Sequence, residues 1–416
     1  MTHSRRAPLV LALIVAAIGS VSPQASAATP CSSTDPVRAE VVVKLRPGHA
    51  IGEVLASQPV ELGPRLLPSH GLHLVKAKDP RYCGTPFWSK KLAQAVRTSA
   101  AVDYAESNLP ADLSDGRYHA WPDGDPDDAG TDPDLWRDQP ATRELKLSEA
   151  HELSEGDGTL VAVLDTGVDV RHPALAGRLK PGWDYVGDDP RPYDAKNGVD
   201  DDRDGAVDES YGHGTFVSGT VGLVAPQADI LPMRVLNSDG RGNLYVVTEA
   251  IRDAVNAGAD VIVLAFGTET RPEPTKFEDA VKLARARGVV VVASAGNESS
   301  TDEHYPASLA EVVAVSALRP DLLRLAPFSN SGNWVDVAAV GADVVGPLPG
   351  ARYASWNGTS VAAPFVAGQA ALIRSRKPLQ DATQTIGTIT RTATVIKVKG
   401  QADVHPINIL GSLKAS

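Results

Sequence analysis

Five apolar runs punctuate the chain after residue 158: "TLVAVLD" (159–165), "DILPMRV" (229–235), "DVIVLAF" (260–266), "VVVVASA" (289–295) and "EVVAVSA" (311–317). Each is too continuous for a strand with one wet face and too short to span a membrane, so each reads as a strand buried on both sides. Helical stretches separate them, notably "NLYVVTEAIRDAVNAG" and "FEDAVKLARARG", both closing on glycine as helices often do. Strands and helices in alternation predict an α/β fold, a doubly wound, mostly parallel sheet whose ligands sit at the carboxyl ends of the strands. No internal repeat interrupts this rhythm.

The front of the chain has a different texture. Residues 38–107 pass through "RAEVVVKL", "AIGEVLAS", "LHLVKA", "SKKLAQAVRTS" and "VDYAES", the pattern of a small α+β domain. From Leu109 to about Pro140 the chain turns rich in Asp, Gly and Pro and poor in apolar residues, which predicts a solvated, protease-accessible linker. Ahead of both, Arg5 and Arg6 precede an uncharged stretch, 7–21, and small residues at Ala25-Ser26-Ala27, the layout of an export signal. That stretch falls short of the roughly 20 residues a membrane helix needs, so a secreted product, extracellular or periplasmic and without a membrane anchor, is expected. Ser4-Arg5-Arg6 hints at a twin-arginine route. The expected division is thus 1–27 signal, 28–108 front domain, 109–134 linker and 135–416 body, the body being a monomer.

Cys31 and Cys83 are the chain's two cysteines, and both fall in the front segment. In an oxidising compartment their pairing would close a loop and stabilise by about 4 kcal/mol in the chain-entropy view; two separate thiols are the alternative. Charge divides the chain too. Residues 28–107 carry 10 basic and 7 acidic side chains, and the remainder to the C-terminus carries 28 and 44. A mildly basic front is attracted to an acidic body, and an acidic body is a poor partner for nucleic acid or anionic membranes.

Three polar residues sit at the edges of apolar elements in the body: Asp165 at the end of "VAVLD", His213 between glycines in "YGHGT", and Ser360 ahead of the alanine-rich "VAAPFVAG". Singly, each has a plain structural reading as a turn residue, a satisfied histidine or a helix cap. Together they form a set with chemical sense. A serine hydroxyl needs an adjacent base, imidazole serves, and a carboxylate fixes the imidazole's tautomer and stabilises its charged form. Asn297 in "SAGNES" follows an apolar run, and its amide is a candidate donor to an oxyanion beside the N–H of Ser360, a Gly-Asn turn being the alternative.

On these residues the chain resembles the subtilases, the subtilisin-like serine proteases. The likeness rests on "VAVLDTGVDVRHPAL", "GHGTFVSG" with "LVAPQADILPMRVL", "VVVVASAGNES" and "GTSVAAPFVAG", and runs from about residue 135 to 416. It implies a subtilisin-like fold and peptide-bond hydrolysis through an acyl-enzyme, with Asp165 as orienting acid, His213 as general base and acid, Ser360 as nucleophile and Asn297 as oxyanion donor. The order Asp, His, Ser along the chain is that of subtilisin itself. The front segment resembles the family's ferredoxin-like inhibitory propeptide, an intramolecular inhibitor whose tail occupies the active site until cut, here between Asn108 and Leu135. The resemblance further implies that peptide is held between "SDGRGN" (238–243, with Gly242) and "LAFG" (264–267, with Ala265, Phe266 and Gly267). The family's usual Ser-Leu-Gly is Ala265-Phe266-Gly267 here, which predicts a narrowed side-chain pocket at Phe266. Val361 and Phe365 also depart from the usual pattern while keeping apolar character.

A calcium site is expected in "DDDRDGAVDE" (200–209), where Asp200, Asp202 and Asp204 alternate, Gly205 permits a turn and Asp208 follows. The twelfth position is Tyr211, so the loop is no EF-hand, but many subtilases carry calcium between the acid and the histidine. A solvated acidic loop is the alternative. Two glycosylation patterns, at Asn297 and Asn357, are rejected because glycans there would block the site. Asp165-Thr166-Gly167 also matches aspartic proteases, but no second Asp-Thr-Gly or Asp-Ser-Gly occurs and the strand-helix rhythm opposes an all-β chain. An inactive secreted binding protein on the same scaffold is the remaining rival.

Overall fold

The computed structural model describes residues 39–79, 86–108, 110–112, 130–269, 276–397 and 402–416. The expected signal, Cys31 and Cys83 lie outside them.

In the front domain β1 (Glu40–Leu45), α1 (Ile51–Ser57), β2 (Val60–Leu62), β3 (Leu72–Ala77), α2 (Pro86–Val96) and β4 (Val102–Ser107) follow in order. The strands form one antiparallel sheet, β2-β3-β1-β4, as a ferredoxin-like α+β unit requires. Alternate residues of β1 serve different cores. Val41, Val43 and Leu45 pack with Val54, Leu92 and Val96 of the two helices, whereas Val42 joins the apolar cluster of the body.

After β4 the chain does not go straight into solvent. Residues Pro110–Asp112 form β5, a short strand hydrogen-bonded to the body, so the solvated linker expected from Leu109 begins with docked backbone. Backbone pairing of this kind needs no apolar side chains, and so leaves no trace in composition. Short helices α3 (Pro133–Arg137), α4 (Pro140–Glu144) and α5 (Leu147–His151) then lead into the body, α3 capped by Asp132.

The five apolar runs all become strands: β6 (Leu160–Asp165), β8 (Asp229–Arg234), β10 (Val261–Leu264), β11 (Val290–Ser294) and β12 (Val312–Leu318), with β7 (Trp183–Asp184) and β13 (Val337–Val340) at the edges. They form a seven-stranded sheet in the order β13-β12-β11-β10-β6-β8-β7, with every described pairing parallel. From β6 the chain steps outward to β8 and then returns to β10 on the other side. Right-handed crossovers demand that helices switch faces at such a reversal. Accordingly α6 (His213–Val224) and α9 (Thr359–Arg376) cover one face, while α7 (Leu244–Asn256) and α8 (Lys276–Ala286) cover the other. β9 (Arg241–Asn243) precedes α7, the hairpin β14 (Val344–Leu348) and β15 (Arg352–Trp356) precedes α9, and α10 (Ala382–Thr392) and α11 (Ile409–Ala415) close the chain. Among the described residues no helix is long and apolar enough to cross a membrane.

The front domain sits on the α7 face, and its Val42, Leu72, Leu74 and Tyr104 share a buried cluster with Leu244, Tyr245 and Val246. Around that apolar centre Lys44 Nζ meets Glu249 at 2.6 Å, His70 Nε2 meets Asp253 at 2.8 Å and the Tyr245 hydroxyl donates to Glu106 at 2.9 Å. Two of the three contacts set a basic or imidazole group of the front against an acidic group of α7.

Candidate active site

Asp165 is the last residue of β6, at the carboxyl edge beside the switch point between β6 and β10. Its Oδ1 accepts from Thr166 N–H at 2.7 Å and lies 2.8 Å from His213 Nδ1, with both side chains buried. An ionised carboxylate only accepts, so Nδ1 carries the proton and Nε2 is the basic nitrogen of the neutral ring.

The glycines around His213 explain how that distance is reached. A Cβ on Gly214 would stand 2.1 Å from the Gly167 carbonyl oxygen, so only glycine lets the first turn of α6 press onto the loop after Asp165. Gly214 N–H donates to Thr166 Oγ1 at 2.9 Å, and Asp169 N–H donates to Thr215 Oγ1 at 3.0 Å, tying the two segments together. The indole of Trp356 stands edge-on to the His213 ring at 5.1 Å and packs on Phe216 at 5.6 Å, which limits rotation of the imidazole.

Ser360 is buried in the first turn of α9, where helix amides have no acceptor within the helix. The helix beneath it is alanine-rich and wholly buried as far as Ile373. A Cβ on Gly368 would meet Val224 Cβ at 2.5 Å, so this glycine sets the close packing of α9 on α6. Asn297 lies just after β11 and is 4% exposed. Its Oδ1 accepts from Thr359 N–H at 2.8 Å, and Thr359 Oγ1 in turn accepts from Gly296 N–H at 3.0 Å. A backbone N–H can only donate, so the amide oxygen of Asn297 must face Thr359 and its NH2 must face the other way, as a donor. The serine turn and the asparagine are thereby locked to each other.

Of the proposed peptide edges, Gly242 in β9 pairs with Ala111 of β5, with Pro110 opposite Asn243 and Asp112 opposite Arg241. Ala265 and Phe266 continue β10 and alternate between faces: Ala265 packs toward α6 and α9, and Phe266 is buried in the cluster of α7 and α8. The Phe266 ring is therefore core, and the pocket narrowing expected from the sequence is not seen at this side chain. Gly267 precedes Thr268, which exchanges two backbone hydrogen bonds with Tyr305 at 2.8 and 2.9 Å.

In the acidic loop, side-chain oxygens of Asp200, Asp202 and Asp204 lie within 4.8 Å of one another. Arg203 and Gly205 N–H groups hold Asp200 at 2.5 and 3.2 Å, and Ala206 N–H holds Asp204 at 2.7 Å. Partial burial, and then the nearby charges of Asp204 and Asp239, raise the pKa of Asp202 against the Asp204 N–H and the charge of Arg241, as expected where carboxylates outnumber the cations beside them. This all-oxygen set suits a hard cation. Asp208 is used differently. It accepts from Asn197 and Gly198 N–H at 2.8 to 3.2 Å, so it shapes the loop.

Several site residues carry no signal in the sequence. Trp356 and Thr359 belong to "SWNGTS" but are recognisable only through what they touch. Asp194 is buried and accepts from Thr215 Oγ1 at 3.1 Å; burial pushes its carboxyl up to about 7 against hydrogen bonds from Gly212 and Thr215, and the charge of Asp165 adds to the rise.

The subtilase family profile (peptidase S8) matches residues 156–411. The thermophilic serine proteinase of Bacillus sp. strain AK1 is 41% identical over 229 residues, 53% of this chain and 53% of that protein, so the chain spans about half of that relative. Thermitase of Thermoactinomyces vulgaris is 36% identical over 245 residues, 59% of this chain and 85% of thermitase. Among solved structures, fervidolysin from Fervidobacterium pennivorans superposes with a TM-score of 0.67 over 92% of this chain and 62% of its own, at 22% identity, a likeness of fold.

Proposed function

The chain belongs to the subtilase family of serine endopeptidases, and on that premise we propose that Ser360, His213 and Asp165 hydrolyse peptide bonds in a secreted enzyme made as an autoinhibited zymogen. The observation that carries the reading is the buried Asp165–His213 contact of 2.8 Å, beside a helix start locked to Asn297.

In this reading Ser360 Oγ attacks the carbonyl carbon and its proton passes to His213 Nε2. Asp165 stabilises the imidazolium that forms. The oxyanion accepts from the Asn297 NH2 and the Ser360 N–H, in the favourable field of the α9 N-terminus. Collapse breaks the C–N bond, the His213 proton goes to the leaving nitrogen, and water repeats the sequence on the acyl-enzyme. Peptide lies as an added strand on Gly242 and along Ala265-Phe266-Gly267, held chiefly by its backbone.

The front domain is the inhibitor. Its tail, β5, already occupies the β9 edge in antiparallel register, and its body is fastened to α7 by the Lys44–Glu249 contact. Cleavage between Asn108 and Leu135 frees the edge. Calcium at Asp200, Asp202 and Asp204, with Asp208 shaping their loop, holds the segment that leads into α6, only nine residues before His213. Export through the 1–27 signal and a monomeric product complete the proposal.

The purified protein is incubated with internally quenched peptides and its N-terminus is sequenced. Cleavage that vanishes in Ser360→Ala, with a new terminus between Asn108 and Leu135, is expected. An active protein that still begins at Ala28 would contradict the zymogen reading, and an inert, fully processed protein would contradict the peptidase.

A further inference from the structure

A cavity of about 610 Å³ opens on the far side of Asn297 from the β9 edge. Strand order fixes that placement. Ala265-Phe266-Gly267 follow β10 and Asn297 follows β11, while the cavity is walled by residues that follow β12 and β13. It is also lined by Asn297 itself and by Asn357, three residues before Ser360. An extended chain lying on β9 and β10 and crossing the strand ends past Ser360 therefore enters this cavity next. With the cut placed after Asp112, residues 110–112 on β9 are the part amino-terminal to it, so that part of a substrate lies on β9 and the cavity receives the leaving half.

The walls are apolar at Phe328, Pro320 and Ala342, and charge is concentrated on the loop that follows β12. There Arg324 pairs with Asp321 at 2.8 Å, and Arg319 has no ion-pair partner among the described residues. Two guanidinium groups beside one carboxylate leave a positive charge unbalanced. Asp343 lies on the adjoining strand end, where Ala342 N–H donates to the Leu318 carbonyl at 3.2 Å, and its own N–H donates to Asn357 Oδ1 at 2.7 Å, on the side of the reacting position. A carboxylate in the first leaving residue is thus repelled by Asp343, while one placed a residue or two further along meets the arginines.

We propose that this cavity is a leaving-side subsite selecting an acidic side chain at the second or third residue after the cut, with Arg319 as the selecting charge. The inference rests on the peptidase reading above and adds a substrate class to it. The chain's own sequence fits the preference. Residues 113–129, which follow the docked tail, carry five aspartates and a single arginine.

Quenched peptides sharing one amino-terminal half and carrying Glu, Gln or Lys at the second and third leaving-side positions are compared by kcat/KM within one enzyme preparation. A peptide para-nitroanilide, which has no leaving-side residue, is run alongside. Glu is expected over Lys by roughly tenfold at low salt, falling to about twofold at 1 M salt, where exposed charges are screened within about 3 Å. Arg319→Glu reverses the order. Because each figure is a ratio within one sample, partial misfolding of the variant does not alter it, and the salt series on the unaltered protein stands alone. Anilide cleavage with a flat Glu-to-Lys ratio, or a ratio unchanged by Arg319→Glu, overturns the subsite and leaves the peptidase intact. Failure to cut the anilide and every peptide overturns both.

Discussion

Asn297 has two jobs that a pair of substitutions separates. Its oxygen holds the Thr359 N–H at 2.8 Å and its NH2 faces the oxyanion. Asn297→Asp keeps an acceptor for Thr359 but removes the donor; Asn297→Leu removes both. Losing one oxyanion donor costs about 10² to 10³ in rate, or about 2.7–4 kcal/mol, a magnitude known from the corresponding asparagine of subtilisin, a member of this family. Both variants should therefore process themselves 10² to 10³ times more slowly, as read from the first-order rate of self-cleavage of the purified full chain. Stability should divide them. Because the position is only 4% exposed, Asn297→Leu would strand a buried helix N–H, at about 1–3 kcal/mol, and lower the melting temperature of the uncut chain by roughly 3–10 °C. The aspartate, an anion at a helix start, should melt no lower than the wild type. Self-cleavage within tenfold of wild type in both variants, or equal loss of melting temperature in both, would refute the division of labour.

Asp165→Asn should lower kcat/KM by about 10⁴ while leaving the near-UV circular dichroism unchanged, because the amide no longer enforces the Nδ1–H tautomer of His213. Removing calcium with a chelator should lower the melting temperature by roughly 5–10 °C if the ion was present at about 100 times its Kd, and Asp202→Asn should abolish that dependence; equal melting with and without chelator would discount the metal. Asp194 is a buried acid with its folded pKa raised to about 7, so its neutral form is favoured in the fold and the associated stability is lost as pH rises from about 4 through 7. Asp194→Asn should accordingly melt a few degrees above wild type at pH 8 and no higher at pH 4. Lys44→Glu should loosen the front domain and speed maturation, and adding Glu249→Lys should restore the wild-type rate, as gel time courses would show.

What the sequence revealed follows from what the solvent does. Strands β6, β8, β10, β11 and β12 are covered on both faces, so their valines and leucines stand in unbroken runs that need no partner to be recognised. Edge and hairpin strands were harder: β13 is a four-residue "VAAV", and β14 and β15 are interrupted by glycine, proline and polar residues. Asp165, His213, Asn297 and Ser360 stood out because each is a polar residue at the end of an apolar element. Their supports did not. Thr359, Trp356 and Asp194 act through contacts with segments tens of residues away, and strand β5 is held by backbone hydrogen bonds that composition does not encode. Phe266 escapes a linear reading for a related reason, since alternation past β10 turns its ring into the core of α7 and α8 while Ala265 faces α6 and α9.

The central claim is that Ser360 is a nucleophile made reactive by His213. A fluorophosphonate probe forms a phosphorus–oxygen bond with such a serine and releases fluoride. Peptide mapping of the labelled, processed protein should place the adduct on Ser360, with no label in His213→Ala. Labelling elsewhere, or labelling of Ser360 that survives loss of His213 at the wild-type rate, would contradict it.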